Sequence, residues 1–176
     1  MGIQPHQGWI FGYKLHITAS TGSLIVPLSV DFTQADVQDN QMYPTITSSL
    51  PQGVRYMAAD SGYDDYKLYN LSITRGFELV CPVSQIYNHT SSDRLQLIEF
   101  YESELGQKIY SWRGISVEPL IEHIKGVFRI DPLPLRGYQK AAGLVLLSVL
   151  LYQIIVYYNC KTHKEHPKAI KHMLGS

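Results

Sequence analysis

The chain has 176 residues, of which 45% are hydrophobic and 17% are charged. This length suits one compact domain with a sizeable core and is too short for two ordinary ones. Lysine and arginine equal aspartate and glutamate at 15 each, so the formal net charge is zero. That balance argues against autonomous, charge-driven nucleic-acid binding, although it leaves room for a local basic groove.

The first elements in chain order are two strands. GYKLHITAS alternates apolar with polar side chains from Tyr13 onward, which is the period of a half-buried strand. After a turn at Thr21-Gly22, SLIVPLSVDF predicts a second strand, in which Pro27 cannot donate to a ladder and so marks an edge or a bulge. We expect the segment from Tyr13 to Phe32 to form a hairpin.

The next segment predicts a parallel crossover unit. A helix over Asn40 to Leu50, capped by Asp39, precedes an apolar strand from Val54 to Asp60. A helix from Asp64 to Arg75 and a strand from Phe77 to Val83 follow at short separation. The order strand, helix, strand predicts parallel pairing of the two strands.

Two helices are predicted in the following segment: a polar one over Leu95 to Lys108, and an amphipathic one with Ser116 as its N-cap. Apolar residues recur on one face of the second helix, namely Val117, Leu120, Ile121, Ile124, Val127 and Phe128. Glu118, Glu122 and Lys125 fall on the other side. Glu118 would then lie in the first turn, where the helix dipole favours an ionised carboxylate.

The segment Ala141 to Tyr158 is nearly all apolar and roughly long enough to cross a bilayer. Ser148, Gln153 and the strand-rich pattern before them favour a fully buried terminal helix instead, so we expect no membrane partner. Residues 161–176 form a basic tail whose histidine spacing fits no standard metal site, which favours a solvated tail able to touch phosphate.

Cellular location is indicated by two further features. The N-terminus lacks a basic start followed by a long apolar run, so we expect no secretory signal. Cys81 and Cys160 show no paired spacing, which favours buried, reduced thiols over a zinc site or a disulfide. Both features predict a cytoplasmic protein.

Two acidic residues are candidates for a site. Asp60 follows a predicted strand at its carboxyl end, the edge where open α/β sheets place ligands, and Glu118 could converge on it from another element. Such carboxylates, together with substrate phosphates, suit Mg²⁺. The alternative is that Asp60 is a turn or helix cap, that Glu118 serves the dipole, and that Arg113 and Lys125 are solvated charges.

Four pieces of the sequence together resemble the catalytic domain of DDE transposases of bacterial insertion sequences, in the ribonuclease H-like superfamily. They are GWIFGYKLH (Gly8 to His16), VRYMAADSGYDD (Val54 to Asp65), GFELVCPV (Gly76 to Val83), and the series Tyr110, Arg113, Glu118 and Lys125. The resemblance implies an α/β fold, with a ribonuclease H-like mixed sheet and flanking helices, in one catalytic domain over residues 1–160.

The resemblance also implies a site and a reaction. Asp60 would be the second acid of the triad and Glu118 the third, and both would hold Mg²⁺ or Mn²⁺. Arg113 and Lys125 would face DNA phosphate, supported by Tyr110. The implied chemistry is metal-dependent phosphoryl transfer: water attacks at the transposon end to free a 3′-hydroxyl, which then attacks target DNA near the bacterial nucleoid.

The chain departs from the family pattern at one catalytic position. The family places its first catalytic Asp on a strand shortly before the GYKLH strand, and none of the residues before Gly8 is acidic. We therefore expect a C-terminal fragment that lacks a central strand, inactive alone, from a truncated gene or a split reading frame. Whether it is an enzyme stays open. The alternative is a non-catalytic remnant that binds full-length transposase, a second copy or DNA.

Overall fold

The computed structural model describes residues 12–83, 92–168 and 170, and this part of the chain is an α/β fold, as predicted. The start of the Gly8 to His16 motif and the end of the basic tail lie outside the described residues. The strands are β1 (Tyr13–Ala19), β2 (Pro27–Gln34), β3 (Tyr56–Ala58) and β4 (Glu78–Val80). The helices are α1 (Asp39–Thr47), α2 (Tyr66–Thr74), α3 (Ser92–Glu102), α4 (Glu104–Phe128) and α5 (Tyr138–Lys161).

Strands β1 and β2 form the predicted antiparallel hairpin. Tyr13 lies opposite Gln34, and the register shifts between Thr18 and Ala19, so that Ala19 lies opposite Pro27. The bulge therefore falls where proline, which lacks an N–H, interrupts the ladder. The prediction of an edge or bulge at Pro27 is confirmed.

Strands β3 and β4 are parallel and joined by α2, which confirms the crossover unit. The Asp65 side chain caps α2 by accepting from the N–H of Lys67 at 2.8 Å. Gly76, with φ 84°, follows the helix in a left-handed conformation that glycine adopts without strain. Both strands are shorter than the sequence predicts, at three residues each.

The two strand pairs form separate two-stranded sheets within the described residues. Helix α4 packs against both β1 and β3 and so spans them. A ribonuclease H-like mixed sheet would require one continuous sheet, so that finer part of the fold stays a prediction.

The apolar interior is divided into two clusters. One lies between the hairpin, α4 and α5 and includes Phe32, Leu120, Ile124, Val145, Val149 and Tyr152. The other lies between α1, α2 and β4 and includes Tyr43, Leu68, Tyr69, Phe77, Leu79 and Cys81. Both cysteines are free thiols, as expected, but only Cys81 is buried as predicted, and Cys160 is half-buried.

Two predicted helix starts are wrong. Gln38, not Asp39, is the N-cap of α1; Asp39 lies inside the first turn, where its carboxylate approaches Lys14 and His16 at 3.6 and 3.4 Å. Ser116 is not a cap either, because its hydroxyl donates to the carbonyl of Trp112 in the middle of α4. The cap of that helix is Ser103, whose Oγ accepts from the Gly106 N–H at 3.1 Å.

The predicted polar helix from Leu95 to Lys108 is divided in the structure. Helix α3 ends at Glu102 and α4 begins at Glu104, with a sharp turn between them. Gly106 permits this turn, since a Cβ there would lie 2.1 Å from the carbonyl oxygen of Phe100. The apolar stripe of the second predicted helix does face the core, with Leu120 and Ile124 buried.

The prediction of a fully buried terminal helix is wrong for one face of α5. Its inner residues are buried against the hairpin and α4, but an outer face is exposed and apolar: Leu147, Leu150, Leu151, Ile154, Tyr157 and Tyr158. Within the described ranges, α5 is the one helix long and apolar enough to cross a membrane, a test that core helices of soluble proteins also pass. Residues 161–166 are exposed as predicted, whereas Ile170 is buried in the hairpin cluster.

Candidate functional site

Asp60 lies just beyond the carboxyl end of β3 and uses its two oxygens differently. Oδ1 accepts from the Gly62 N–H at 2.9 Å and so caps the short 3₁₀ turn Ser61–Tyr63. Oδ2 lies 3.6 Å from Nη2 of Arg113. Asp60 is therefore a turn cap, as the alternative interpretation states, and it also lies beside Arg113, another of the predicted site residues.

Glu118 reaches the same guanidinium from α4. Its Oε1 lies 3.5 Å from Nη1 of Arg113, while Nη2 faces Asp60. The side chains of Asp60 and Glu118 are 46% and 63% exposed, and that of Arg113 is 33% exposed, so the cluster is open to solvent. The structure thus brings two carboxylates from separate elements to the guanidinium of one arginine, Arg113.

The helix-dipole interpretation of Glu118 is wrong. Helix α4 begins at Glu104, so Glu118 lies well inside it, and the dipole acts only within the first and last turns. Pro119 follows within the helix interior. What places Glu118 at the site is the packing of α4 against β3, whose carboxyl end leads to Asp60.

A buried ion pair anchors the loop that presents Asp60. The Arg94 guanidinium makes a two-pronged contact with the Asp64 carboxylate, and the two side chains are only 2% and 1% exposed. Asp64 also ends the 3₁₀ turn, because its N–H donates to Ser61 at 3.2 Å. The Tyr69 hydroxyl donates to the same carboxylate at 3.2 Å. The loop is therefore tied to α2 and α3.

Sequence reasoning missed this anchor. Its only signal is the acidic doublet in DSGYDD, where Asp65 caps α2 and Asp64 turns inward.

Burial raises the pKa of the neighbouring Cys81 thiol to about 11, which keeps that thiol protonated and unreactive at neutral pH. Burial also raises the pKa of Tyr63, which lies on the 3₁₀ turn beside Asp60.

Among the contacts of the described residues, none connects Lys125 or Tyr110 to the cluster of Asp60, Arg113 and Glu118. Lys125 contacts Glu122 at 3.2 Å and Asp131 at 3.1 Å, and its hydrogen bond to Asp131 raises the pKa of the amine. The ring of Tyr110 packs edge-on against Tyr101, with centroids 5.5 Å apart. Their assignment to the DNA-facing surface therefore stays a prediction.

The donor chemistry at Asp60 and Glu118 fits a hard divalent cation. Mg²⁺ is commonly held by one or two carboxylates with substrate phosphates and water completing its shell. The two carboxylates already share a cationic neighbour in Arg113. In the described part of the chain, no group of three His, Cys, Asp or Glu side chains could hold a metal, so these two carboxylates would need ligands from elsewhere.

A comparison of the sequence with models of known protein families identifies the family to which the chain belongs. The family model described as Transposase DDE domain matches residues 2–154. The chain belongs to the transposase DDE domain family. No curated protein and no solved structure matches it. Membership in this family connects the chain to DNA transposition and to DNA as a partner, and the family generally uses a divalent metal.

Proposed function

We propose that the chain is the C-terminal part of a ribonuclease H-like transposase catalytic domain from an insertion sequence. It would serve metal-dependent phosphoryl transfer at transposon ends and in strand transfer. The observation that carries this proposal is the approach of Asp60 and Glu118 to the two terminal nitrogens of Arg113, at 3.6 and 3.5 Å. The family match, which names a DDE domain, supports it.

Each residue of the cluster has a distinct role in this proposal. Asp60 and Glu118 would hold Mg²⁺ or Mn²⁺, which supplies charge stabilisation to the attacking and leaving oxygens of the phosphodiester when bound. Arg113 carries a planar fork of donors that suits phosphate oxygens, so arriving DNA would draw it away from the carboxylates. Lys125 and Tyr110 would extend the DNA-facing surface along α4.

The chain alone would not complete the reaction. The proposal uses two carboxylates, whereas the DDE pattern requires a third, which residues 1–7 do not supply and which the proposal assigns to a separate segment. We expect the chain to gain activity only when that segment is supplied. The second candidate is a non-catalytic remnant that binds DNA, a second copy or full-length transposase; the lack of an acidic residue before Gly8 favours it.

Metal binding separates the two candidates. Electron paramagnetic resonance of Mn²⁺ should show binding to the chain that is lost in Glu118→Gln and in Asp60→Asn. Glu122→Gln is the matched control, since Glu122 is an exposed carboxylate of the same helix that contacts Lys125 instead. Binding that survives Glu118→Gln, or that Glu122→Gln removes equally, would contradict the assignment.

DNA binding tests the role of Arg113 independently of metal. The variant Arg113→Ala should weaken binding to a duplex and reduce the slope of log K against log salt by about one, because each phosphate contact releases counterions. Arg136→Ala, which removes an exposed arginine outside α4, should leave the slope unchanged. Equal effects of the two variants would show that the charge acts only through the overall field.

A further inference from the structure

The outer face of α5 is an apolar surface that nothing in the described part of the chain covers. Its side chains are between 38% and 63% exposed: Leu147, Leu150, Leu151, Ile154, Tyr157 and Tyr158. With about half of each large side chain open to solvent, the face offers about 600 Å² of apolar surface, the upper end for the largest patch on an ordinary monomer. Patches of this size commonly mark contact surfaces.

The described part of the tail does not return to this face. The Asn159 side chain, 2% exposed, donates from Nδ2 to the carbonyl oxygen of Pro167 at 2.9 Å. Ile170 is buried in the cluster between the hairpin, α4 and α5. These contacts hold the described tail to the inner side of α5 and leave the outer face open.

The spacing along the outer face matches a second copy of the same helix. Its central line consists of Leu147, Leu150, Ile154 and Tyr157, at intervals of three, four and three residues. These are the intervals of a coiled-coil seam, and they read the same from either end of the helix. A second α5 running in the opposite direction therefore presents matching positions, as a two-fold interface requires. In that arrangement Leu150 lies opposite Ile154 of the second copy, and Leu147 lies opposite its Tyr157.

The charges at the ends of α5 favour the antiparallel direction. No charged residue occurs between Lys140 and Lys161. In a parallel pair the two Lys161 side chains would lie on helices about 8–10 Å apart, with the basic tails beside them. In an antiparallel pair centred on residue 152 they are about 27 Å apart, well beyond the screening length of about 8 Å. Each Lys161 then lies over Gly143 of the other copy, where a Cβ would meet no atom within 4 Å, so its ammonium group can reach solvent.

We propose that two copies of this chain associate through the outer face of α5, with the helices antiparallel and Leu150 of each copy opposite Ile154 of the other. Burial of both faces removes about 1,200 Å² from water, the lower end of the range for specific interfaces. We expect a Kd on the order of 1–10 μM, since larger interfaces range from micromolar to picomolar. This inference goes beyond the proposed phosphoryl transfer, because none of these residues belongs to the cluster of Asp60, Arg113 and Glu118.

Sedimentation velocity of the full chain tests the proposal. The chain of 20.0 kDa should shift from monomer to dimer as its concentration rises through about 1–10 μM. Ile154→Lys should weaken dimerisation by at least about a hundredfold, because each dimer would then bury two ammonium groups without partners. Ile73→Lys is the matched control, since Ile73 is an isoleucine of α2 that is 66% exposed, and it should leave the dimer unchanged.

A mixture of two variants tests the antiparallel register. Leu150→Glu should weaken its own dimer as Ile154→Lys does. In an antiparallel heterodimer of these two variants the introduced carboxylate faces the introduced ammonium group, and the two unsubstituted residues face each other. The equimolar mixture should therefore associate at least about tenfold more tightly than either variant alone, whereas a parallel pair would leave both charges unpaired. Both residues are half-exposed, so each variant should fold; Leu147→Glu with Tyr157→Lys supplies a second pair.

Several outcomes would overturn the proposal. A chain that stays monomeric up to about 100 μM has no such interface, and a dimer that Ile154→Lys weakens no more than Ile73→Lys uses another surface. A mixture that associates no better than its components excludes the antiparallel register. Flotation with neutral phosphatidylcholine vesicles identifies the remaining occupant: a monomer that floats, and that Ile154→Lys releases, would show that the face contacts lipid instead of a second copy.

Discussion

The buried pair of Asp64 and Arg94 provides the sharpest test of how the Asp60 loop is held. In Arg94→Met, a side chain that fills similar space replaces the guanidinium and leaves the Asp64 carboxylate, 1% exposed, without its cation. Removing one partner of a buried ion pair costs about 3–5 kcal/mol, because a charge remains buried without compensation. Since domains are typically stable by only about 5–15 kcal/mol, the loss should be large.

Urea unfolding followed by circular dichroism measures this loss by linear extrapolation. The control is Lys125→Met, which removes an exposed cation from contacts with Glu122 and Asp131 and should cost less than about 1 kcal/mol. The double variant Asp64→Leu/Arg94→Met should recover much of the stability, because neither charge is then left buried alone. A loss in Arg94→Met no larger than that in the control would refute the reasoning.

Three further predictions concern stability. Gly106→Ala should destabilise the chain strongly, because its Cβ would meet backbone at 2.1 Å, whereas Gly114→Ala on the open face of the same helix should stabilise it by about 0.8–1 kcal/mol, both measured by urea unfolding. Thr18→Val should raise the free energy of unfolding by about 1 kcal/mol, since it removes a buried hydroxyl without a partner; a decrease would show that the hydroxyl is satisfied. Burial lowers the pKa of His16, so the unfolded chain binds more protons there, and stability should fall as the pH drops below about 6.5. His16→Asn should flatten that part of the pH profile, and an unchanged profile would contradict the assignment.

The elements set by local sequence pattern were predictable. Alternation of apolar residues gave the hairpin, Pro27 marked its bulge, and Gly76 marked the end of α2. Each of these signals acts through the dihedral angles or hydrogen-bonding groups of one or two residues. Local chemistry alone therefore decides them.

Elements set by packing were harder to predict. Ser116 and Pro119 together suggest a helix start, yet α4 runs through both because its apolar stripe is held by the core. Pro119 is exposed, so water can serve the carbonyl that the missing N–H leaves open. The pair of Asp64 with Arg94 joins residues 30 positions apart across an undescribed segment, and no local periodicity signals it.

Within the candidate site, the sequence indicated the residues but not their relations. The convergence of Asp60 and Glu118 was expected from the position of Asp60 at the carboxyl end of a strand, although Glu118 reaches it from the interior of α4 and not from the predicted first turn of a helix. The position of Arg113 between them could not, since it depends on how α4 crosses β3. The separation of Lys125 from this cluster likewise follows from the position of Asp131 after the helix.

Arg113 leads to a last prediction, in which metal and DNA binding change in opposite directions. Its guanidinium lies 3.6 and 3.5 Å from the carboxylates that we propose as metal ligands, so it competes with a divalent cation for them. Each such contact is worth about 1 kcal/mol in water-like surroundings, and 1.4 kcal/mol is a factor of ten in affinity. Arg113→Gln should therefore tighten Mn²⁺ binding by up to about tenfold, while weakening duplex binding through the loss of a phosphate contact.

The opposite signs make this test specific. A variant that merely loosened the fold would weaken both kinds of binding, and a solvated arginine with no place in the site would change neither Mn²⁺ affinity nor the salt slope. Mn²⁺ titration followed by electron paramagnetic resonance, and duplex titration followed by fluorescence anisotropy, measure the two affinities on the same preparation. If Mn²⁺ affinity falls in Arg113→Gln, the guanidinium does not compete with the cation, and Asp60 and Glu118 are an ion-paired cluster rather than a metal site.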